Sequence, residues 1–163
     1  MKETLISKWK KAGRISTASM KKLVKRLVDK KNRNIDQDAD QVHTQVFREL
    51  DCLDCANCCK SIPPMLVPSD IKRIAKYLGL KVKTFEYQYL RMDEDGDLVM
   101  KISPCFFLGT DNKCAIYEVR PKACREYPHT DAYEFRKNAH LHALNAGYCP
   151  AVYHILQRLN EVY

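Results

Sequence analysis

Asp51-Cys52-Leu53-Asp54-Cys55-Ala56-Asn57-Cys58-Cys59-Lys60 places four cysteines within the eight residues 52–59. Around it, residues 51–68 show neither the apolar period of a helix nor that of a strand, so these sulfurs are not patterned as core. A two-residue gap between cysteines lets the backbone curl until successive thiolates and nearby amide N–H groups face one ion. Cys105, Cys114, Cys124 and Cys149 follow. All eight are candidate metal ligands: Cys52, Cys55, Cys58, Cys59, Cys105, Cys114, Cys124 and Cys149.

The competing reading is buried or paired cysteines without metal. It fits the pattern less well, because adjacent cysteines are awkward disulfide partners and a cytosolic chain keeps its thiols reduced. Zn²⁺ takes four soft ligands in a tetrahedron, and a four-iron cluster takes one thiolate per iron. Eight thiolates would fill two such sites, or fill one and leave reactive thiols over. Zinc and iron both remain open. Cys52, Cys55 and Cys58 with a remote Cys149-Pro150 follow ferredoxin-like spacing. The spacing of radical S-adenosylmethionine enzymes is absent: Cys55-x3-Cys59 would need a cysteine where Ile62 stands. Cys58 and Cys59 are expected to take different roles, since successive side chains diverge along an extended backbone.

The rest of the chain bounds the function. Its 163 residues are 45% hydrophobic, enough for a packed core. The five glycines lie too far apart for a dinucleotide turn or a P-loop. No N-terminal apolar run resembles a signal peptide, and none approaches the roughly 18 residues of a spanning segment. A cytoplasmic protein without a membrane span is therefore expected. Charge is uneven. Residues 1–34 carry 12 Lys/Arg against Glu3 and Asp29, a net of +10, while residues 35–163 carry 16 against 18 acidic residues, a net of −2. The division expected is a basic helical arm, 1–49, before a cysteine-cluster domain, 50–163. The arm at 1–34 would suit an acidic protein partner or, as a less favoured reading, nucleic acid.

The fold class expected is α+β, mainly α-helical, with a small β-hairpin and a cysteine-ligated metal core. Met20, Leu23, Val24, Leu27 and Val28 recur at helical spacing and predict a helix over about 16–31. Leu5, Ile6 and Trp9 predict a shorter one before it. Residues 32–34 and Asp36-Gln37-Asp38 read as a break, and Val42, Val46, Phe47 and Leu50 as a further helix. Ser69 reads as the cap of a helix from Asp70 to Leu78, stopped by Gly79. Asp95-Gly96 between two apolar runs predicts a hairpin. Helices are expected over 132–146 and 151–163.

At the cysteines the chain resembles a known family, the YkgJ-type CxxCxxCC proteins, known as zinc- or iron-chelating domains. The match runs from Cys52-x2-Cys55-x2-Cys58-Cys59 through Pro104-Cys105-Phe106-Phe107-Leu108 to Cys114-Ala115-Ile116-Tyr117-Glu118-Val119-Arg120-Pro121-Lys122-Ala123-Cys124-Arg125-Glu126-Tyr127-Pro128. It covers roughly residues 50–150. The resemblance implies chelation of zinc or iron, the latter as a 4Fe–4S cluster in one version. Some relatives are described as flagellin lysine N-methylases, which implies a protein-modifying enzyme as an alternative; a zinc-stabilised nucleic-acid- or protein-binding module is another. No residue transfers as catalytic. The family commonly has glycine after the second cysteine, where this chain has Ala56, so a positive φ is not expected there. Arg120, Lys122 and Arg125 are candidates to offset thiolate charge around Cys124, and His129 is a candidate nitrogen donor.

Overall fold

The computed structural model describes residues 3–163. It is mainly helical with one small antiparallel sheet, and it divides into two units. One comprises the residues up to Cys55 together with Pro128–Tyr163; the other is Ala56–Tyr127.

In the first unit the apolar periods become helices α1 (Leu5–Ala12), α2 (Thr17–Leu27), α3 (Ile35–Glu49), α8 (Ala139–Asn145) and α9 (Pro150–Val162). Thr4 and Ser16 accept from Ser7 N and Ser19 N and so cap α1 and α2. Leu5, Val24, Leu27, Ile35, Val46, Phe135, Ile155, Leu156 and Leu159 are buried in one cluster. Each such side chain contributes about 1.5–3 kcal/mol when fully removed from water. The basic helices therefore face inward with their apolar stripe, while Lys21, Lys22, Lys25 and Arg26 stay exposed.

Two expectations change here. Asp36 and Asp38 do not break the chain; they sit in the first turn of α3, where acidic side chains suit the positive end of the helix dipole. They are also anchors: Asp36 accepts from Arg136 N at 2.7 Å, Asp38 accepts from the Tyr163 hydroxyl, and nearby Asp40 accepts from Ala132 N at 2.9 Å. The helix expected over 132–146 forms only from Ala139. Ala132 and Tyr133 hold φ of 56° and 57°, and Arg136 donates to the carbonyls of Val28 and Asn32, at and beyond the end of α2.

The second unit holds α4 (Asn57–Ser61), α5 (Pro68–Tyr77), α6 (Val82–Tyr89), β1 (Leu90–Met92), β2 (Leu98–Met100) and α7 (Lys122–Glu126). The hairpin pairs Leu90 with Met100 and Met92 with Leu98, and Met65 bridges Val99 from the other side. Its own apolar cluster includes Leu66, Ile71, Ile74, Phe85, Leu90, Met100, Phe107 and Ile116. Residues 51–68, expected to be irregular, contain a 3₁₀ turn at Cys52–Asp54 as well as α4. Helix α5 begins at Pro68 rather than Asp70, because proline suits the first helical position.

His142 is fully buried against Phe135, ring centroids 4.2 Å apart, and its Nε2 lies 2.9 Å from the Phe135 carbonyl. Burial lowers its pKa from 6.5 to about 4. Between those values the unfolded chain binds a proton that the native chain refuses. The associated stability is complete above about 6.5 and is lost as pH falls toward 4, for about 3 kcal/mol in all. In denaturant titrations across this window, His142→Gln, which keeps the donor but cannot titrate, should lose that part of the slope. An unchanged slope would remove His142 as its source.

Candidate metal centre

The cysteines separate between the units: Cys52, Cys55 and Cys149 in the first, Cys58, Cys59, Cys105, Cys114 and Cys124 in the second. None is in a disulfide.

In the second unit, short backbone links gather the sulfurs. Cys59 lies in α4, and its carbonyl accepts from Cys105 N at 3.0 Å. The chain then doubles back: Leu108 pairs with Cys114, Ala115 N donates to the Phe107 carbonyl at 2.8 Å, and Gly109 N donates to Lys113 O at 2.8 Å. A Cβ at Gly109 would meet Asp111 Oδ1 at 2.7 Å, so a larger residue there requires the Asp111 side chain to shift. Cys124 comes from α7, where its N–H bonds the Pro121 carbonyl at 3.0 Å.

These four sulfurs share one electrostatic neighbourhood. Burial pushes Cys124 up to about 12, and the charges of Cys59, Cys105 and Cys114 push it further in the same direction while Arg120 opposes them. Burial also raises Cys105 and Cys114. Against it, the backbone N–H of Phe107 lowers Cys105 and that of Ile116 lowers Cys114. Cys59 alone is lowered, to about 7, chiefly by a hydrogen bond from the Cys58 side chain.

The first unit repeats the arrangement on a smaller scale. Asp51 accepts from Leu53 N at 2.8 Å and opens the turn at Cys52, and Cys55 N returns to the Cys52 carbonyl at 3.1 Å. Cys149 is the N-cap of α9, with Pro150 at the first helical position. Burial raises Cys149 to about 12; the N–H groups of Val152 and Ala151 oppose the shift, and the charges of Cys52 and Cys55 add to it. Those two amides belong to the unsatisfied first turn of the helix, which is where a sulfur anion is best received.

Among the described residues, no three His, Cys, Asp or Glu side chains stand close enough to clasp an ion as they are. The fit is one of chemistry: eight soft sulfur donors, several of them within electrostatic range of one another. A metal displaces the thiol proton that burial otherwise retains. A groove of about 410 Å³ lined by Met65, Val67, Ile71, Val82 and Leu98 contains none of these cysteines.

Other candidates divide. Arg120 lies in range of Cys114 and Cys124 and lowers both. Lys122 instead pairs with Glu126 at 3.6 Å, and Arg125 donates to the Arg120 carbonyl at 3.2 Å. His129 belongs to the first unit, in range of His142 and Glu134. Sequence reasoning missed Asp70, which is 1% exposed and bonds three separate groups. An acidic residue at the third position of a helix opened by Val67-Pro68 was the available cue.

The CxxCxxCC profile, described as "Putative zinc- or iron-chelating domain", matches residues 51–150. The chain belongs to the CxxCxxCC family. Its match spans Cys52 to Cys149 and so includes all eight cysteines of this CxxCxxCC domain. The uncharacterized protein MJ0661 of Methanocaldococcus jannaschii is 33% identical over 82 residues, covering 48% of this chain and 44% of that protein. The chain thus spans under half the length of that curated relative. No solved structure matches the chain.

One feature of the CxxCxxCC segment overturns an expectation. Ala56 adopts φ 49°, ψ 21°, the left-handed conformation, and is buried at 6% exposure. The turn between Cys55 and α4 keeps the backbone that glycine favours although the residue is alanine. Left-handed alanine costs about 1–2 kcal/mol, and its buried methyl regains about 0.8 kcal/mol. Ala56→Gly should therefore change the denaturation midpoint by less than the equivalent of about 1 kcal/mol. Ala56→Val, branched and buried at positive φ, should cost more than about 2 kcal/mol.

Proposed function

We propose that this chain chelates zinc or iron through two groups of thiolates. Cys59, Cys105, Cys114 and Cys124 form one set; Cys52, Cys55 and Cys149 belong to a second. Cys58, hydrogen-bonded to Cys59, is the eighth sulfur. The observation that carries the reading is the four-sulfur neighbourhood of the second unit, where each of Cys59, Cys105 and Cys114 acts on Cys124. Four sulfurs match one tetrahedral Zn²⁺ or one four-iron cluster, and both leave a local charge of −2 that Arg120 partly offsets. When bound, either group supplies a cross-link between α4, the 105–115 loop and α7; iron adds electron transfer.

The role that follows is that of a metal-carrying protein whose centre has a structural, redox or accessory task in the cytoplasm. The family description supports chelation. Nothing comparable supports a methyl-transfer site or a nucleic-acid surface.

Elemental analysis with a visible spectrum, on protein purified without oxygen, tests the reading. A colourless zinc protein or a brown iron protein is expected, with more than one equivalent of metal in the zinc form. Serine variants should fall into two classes. Cys105→Ser, Cys114→Ser and Cys124→Ser should lose the same centre, whereas Cys55→Ser and Cys149→Ser should lose the other and keep the first. Cys59→Ser should join the first class, and Cys58→Ser should not. Uniform loss of all metal in every variant would refute two sets, and metal-free wild-type protein would refute chelation.

A further inference from the structure

Asp70 is a charged side chain in a place that buries charges only when they are needed. Its carboxylate is 1% exposed, on α5, far in sequence from every cysteine of the 105–124 region. It accepts from Val67 N at 3.2 Å, which closes the first turn of its own helix. Both oxygens accept from Lys122 N at 3.2 Å, and Oδ1 pairs with Arg73 Nη2 at 2.5 Å. The same Arg73 nitrogen donates to the Arg120 carbonyl at 3.0 Å.

These bonds converge on the strand of chain that delivers Cys124. Helix α7 is five residues long, too short to persist alone, and Pro121 before it offers no side-chain cap. The first N–H of α7, that of Lys122, is satisfied from 52 residues away by Asp70. Immediately before it, the Arg120 carbonyl is held by Arg73 and Arg125, and Arg120 itself bonds the Tyr117 carbonyl at 2.8 Å and lies 3.9 Å over the Tyr117 ring. Cys124 follows two residues after Lys122. Arg120 is also the cation in range of Cys114 and Cys124.

We infer that Asp70 is a positioning residue of the metal centre: through Lys122 N and Arg73 it fixes the start of α7, and thereby the place of the Cys124 sulfur among Cys59, Cys105 and Cys114. The inference rests on Cys124 being a ligand, and it assigns to a buried carboxylate outside the cysteine motif a share in metal affinity. Asparagine in its place would keep the shape and one acceptor but would lose the charge that holds Arg73, and its amide would oppose one of the N–H groups. Buried acceptors shared among three donors leave no slack for that exchange.

The test uses the full chain loaded with Co²⁺, whose visible spectrum reports the number and geometry of thiolates, together with competition against a chelator. Asp70→Asn should weaken cobalt retention roughly tenfold. It should also shift the spectrum in the direction produced by Cys124→Ser, while the Cys149→Ser difference spectrum stays as in an Asp70 background. Arg73→Lys, which keeps a cation beside Asp70 but loses the fork that also reaches the Arg120 carbonyl, should act in the same direction and more weakly. Ile74→Val, in the core of the same helix, controls for general loosening and should leave both readouts unchanged. Wild-type affinity and spectrum in Asp70→Asn and Arg73→Lys would overturn the inference while leaving the Cys124 ligand intact. An equal loss in Ile74→Val would overturn it as well, since a merely structural role would then suffice. A Cys124→Ser spectrum identical to wild type would overturn both the ligand assignment and the inference.

Discussion

A buried sulfur is a poor ligand until it gives up its proton, and the cysteines of this chain are organised around that constraint. Burial drives Cys124 and Cys149 up to about 12 and raises Cys105 and Cys114. Left alone, such thiols would be neutral and inert. Yet backbone N–H groups work against that rise, those of Phe107 and Ile116 for Cys105 and Cys114 and those of Ala151 and Val152 for Cys149. A neutral thiol gains little from such donors; a thiolate gains a charge-assisted bond from each. The arrangement suits the anion, and burial withholds the anion until a cation arrives to share the charge.

Holding those amides in place takes most of the local structure. The 105–115 loop closes through backbone bonds between Gly109 and Lys113 and between Phe107 and Ala115. Ala56 accepts a left-handed backbone so that α4 starts immediately after Cys55. Pro150 lets Cys149 sit at the head of α9 with the next two amides free to face it. Each unit also has an apolar cluster of its own, Leu27 and Leu156 in one and Phe85 and Ile116 in the other. The sulfurs are therefore added to cores that already exist and need not replace them.

How much of this the sequence disclosed depends on the range of the interaction involved. Local signals read well. The apolar stripe of α2, Asp95-Gly96 in the hairpin and Gly79 after α5, at φ 69°, all appear where their chemistry predicts. Signals with two meanings read badly. Asp36 and Asp38 suit a loop or a helix's first turn, and only their distant partners Arg136 and Tyr163 decide between them. Residues 132–138 have helical composition, but Ala132 N is taken by Asp40 and Arg136 is occupied with the end of α2. The eight cysteines were legible as candidates, whereas their grouping was not, since Cys59 meets Cys105 through a backbone bond spanning 46 residues of chain. Asp70 was legible only as an acidic residue in a helix's first turn, since nothing near it in sequence reveals Lys122.

The grouping changes what the cysteine motif means. Read along the chain, Cys52, Cys55, Cys58 and Cys59 form one cluster, and the division of eight thiolates between one site and two stays open. In the fold the first unit ends at Cys55 and the second begins at Ala56, so the boundary falls inside the motif. Cys55 answers to Cys149, and Cys59 answers to Cys105, Cys114 and Cys124. Ala56, the first residue of the second unit, holds the left-handed conformation. Close spacing in the motif thus does not mean one neighbourhood: Cys52 and Cys55 fall in the unit of Cys149, and Cys58 and Cys59 fall in the unit of Cys105, Cys114 and Cys124.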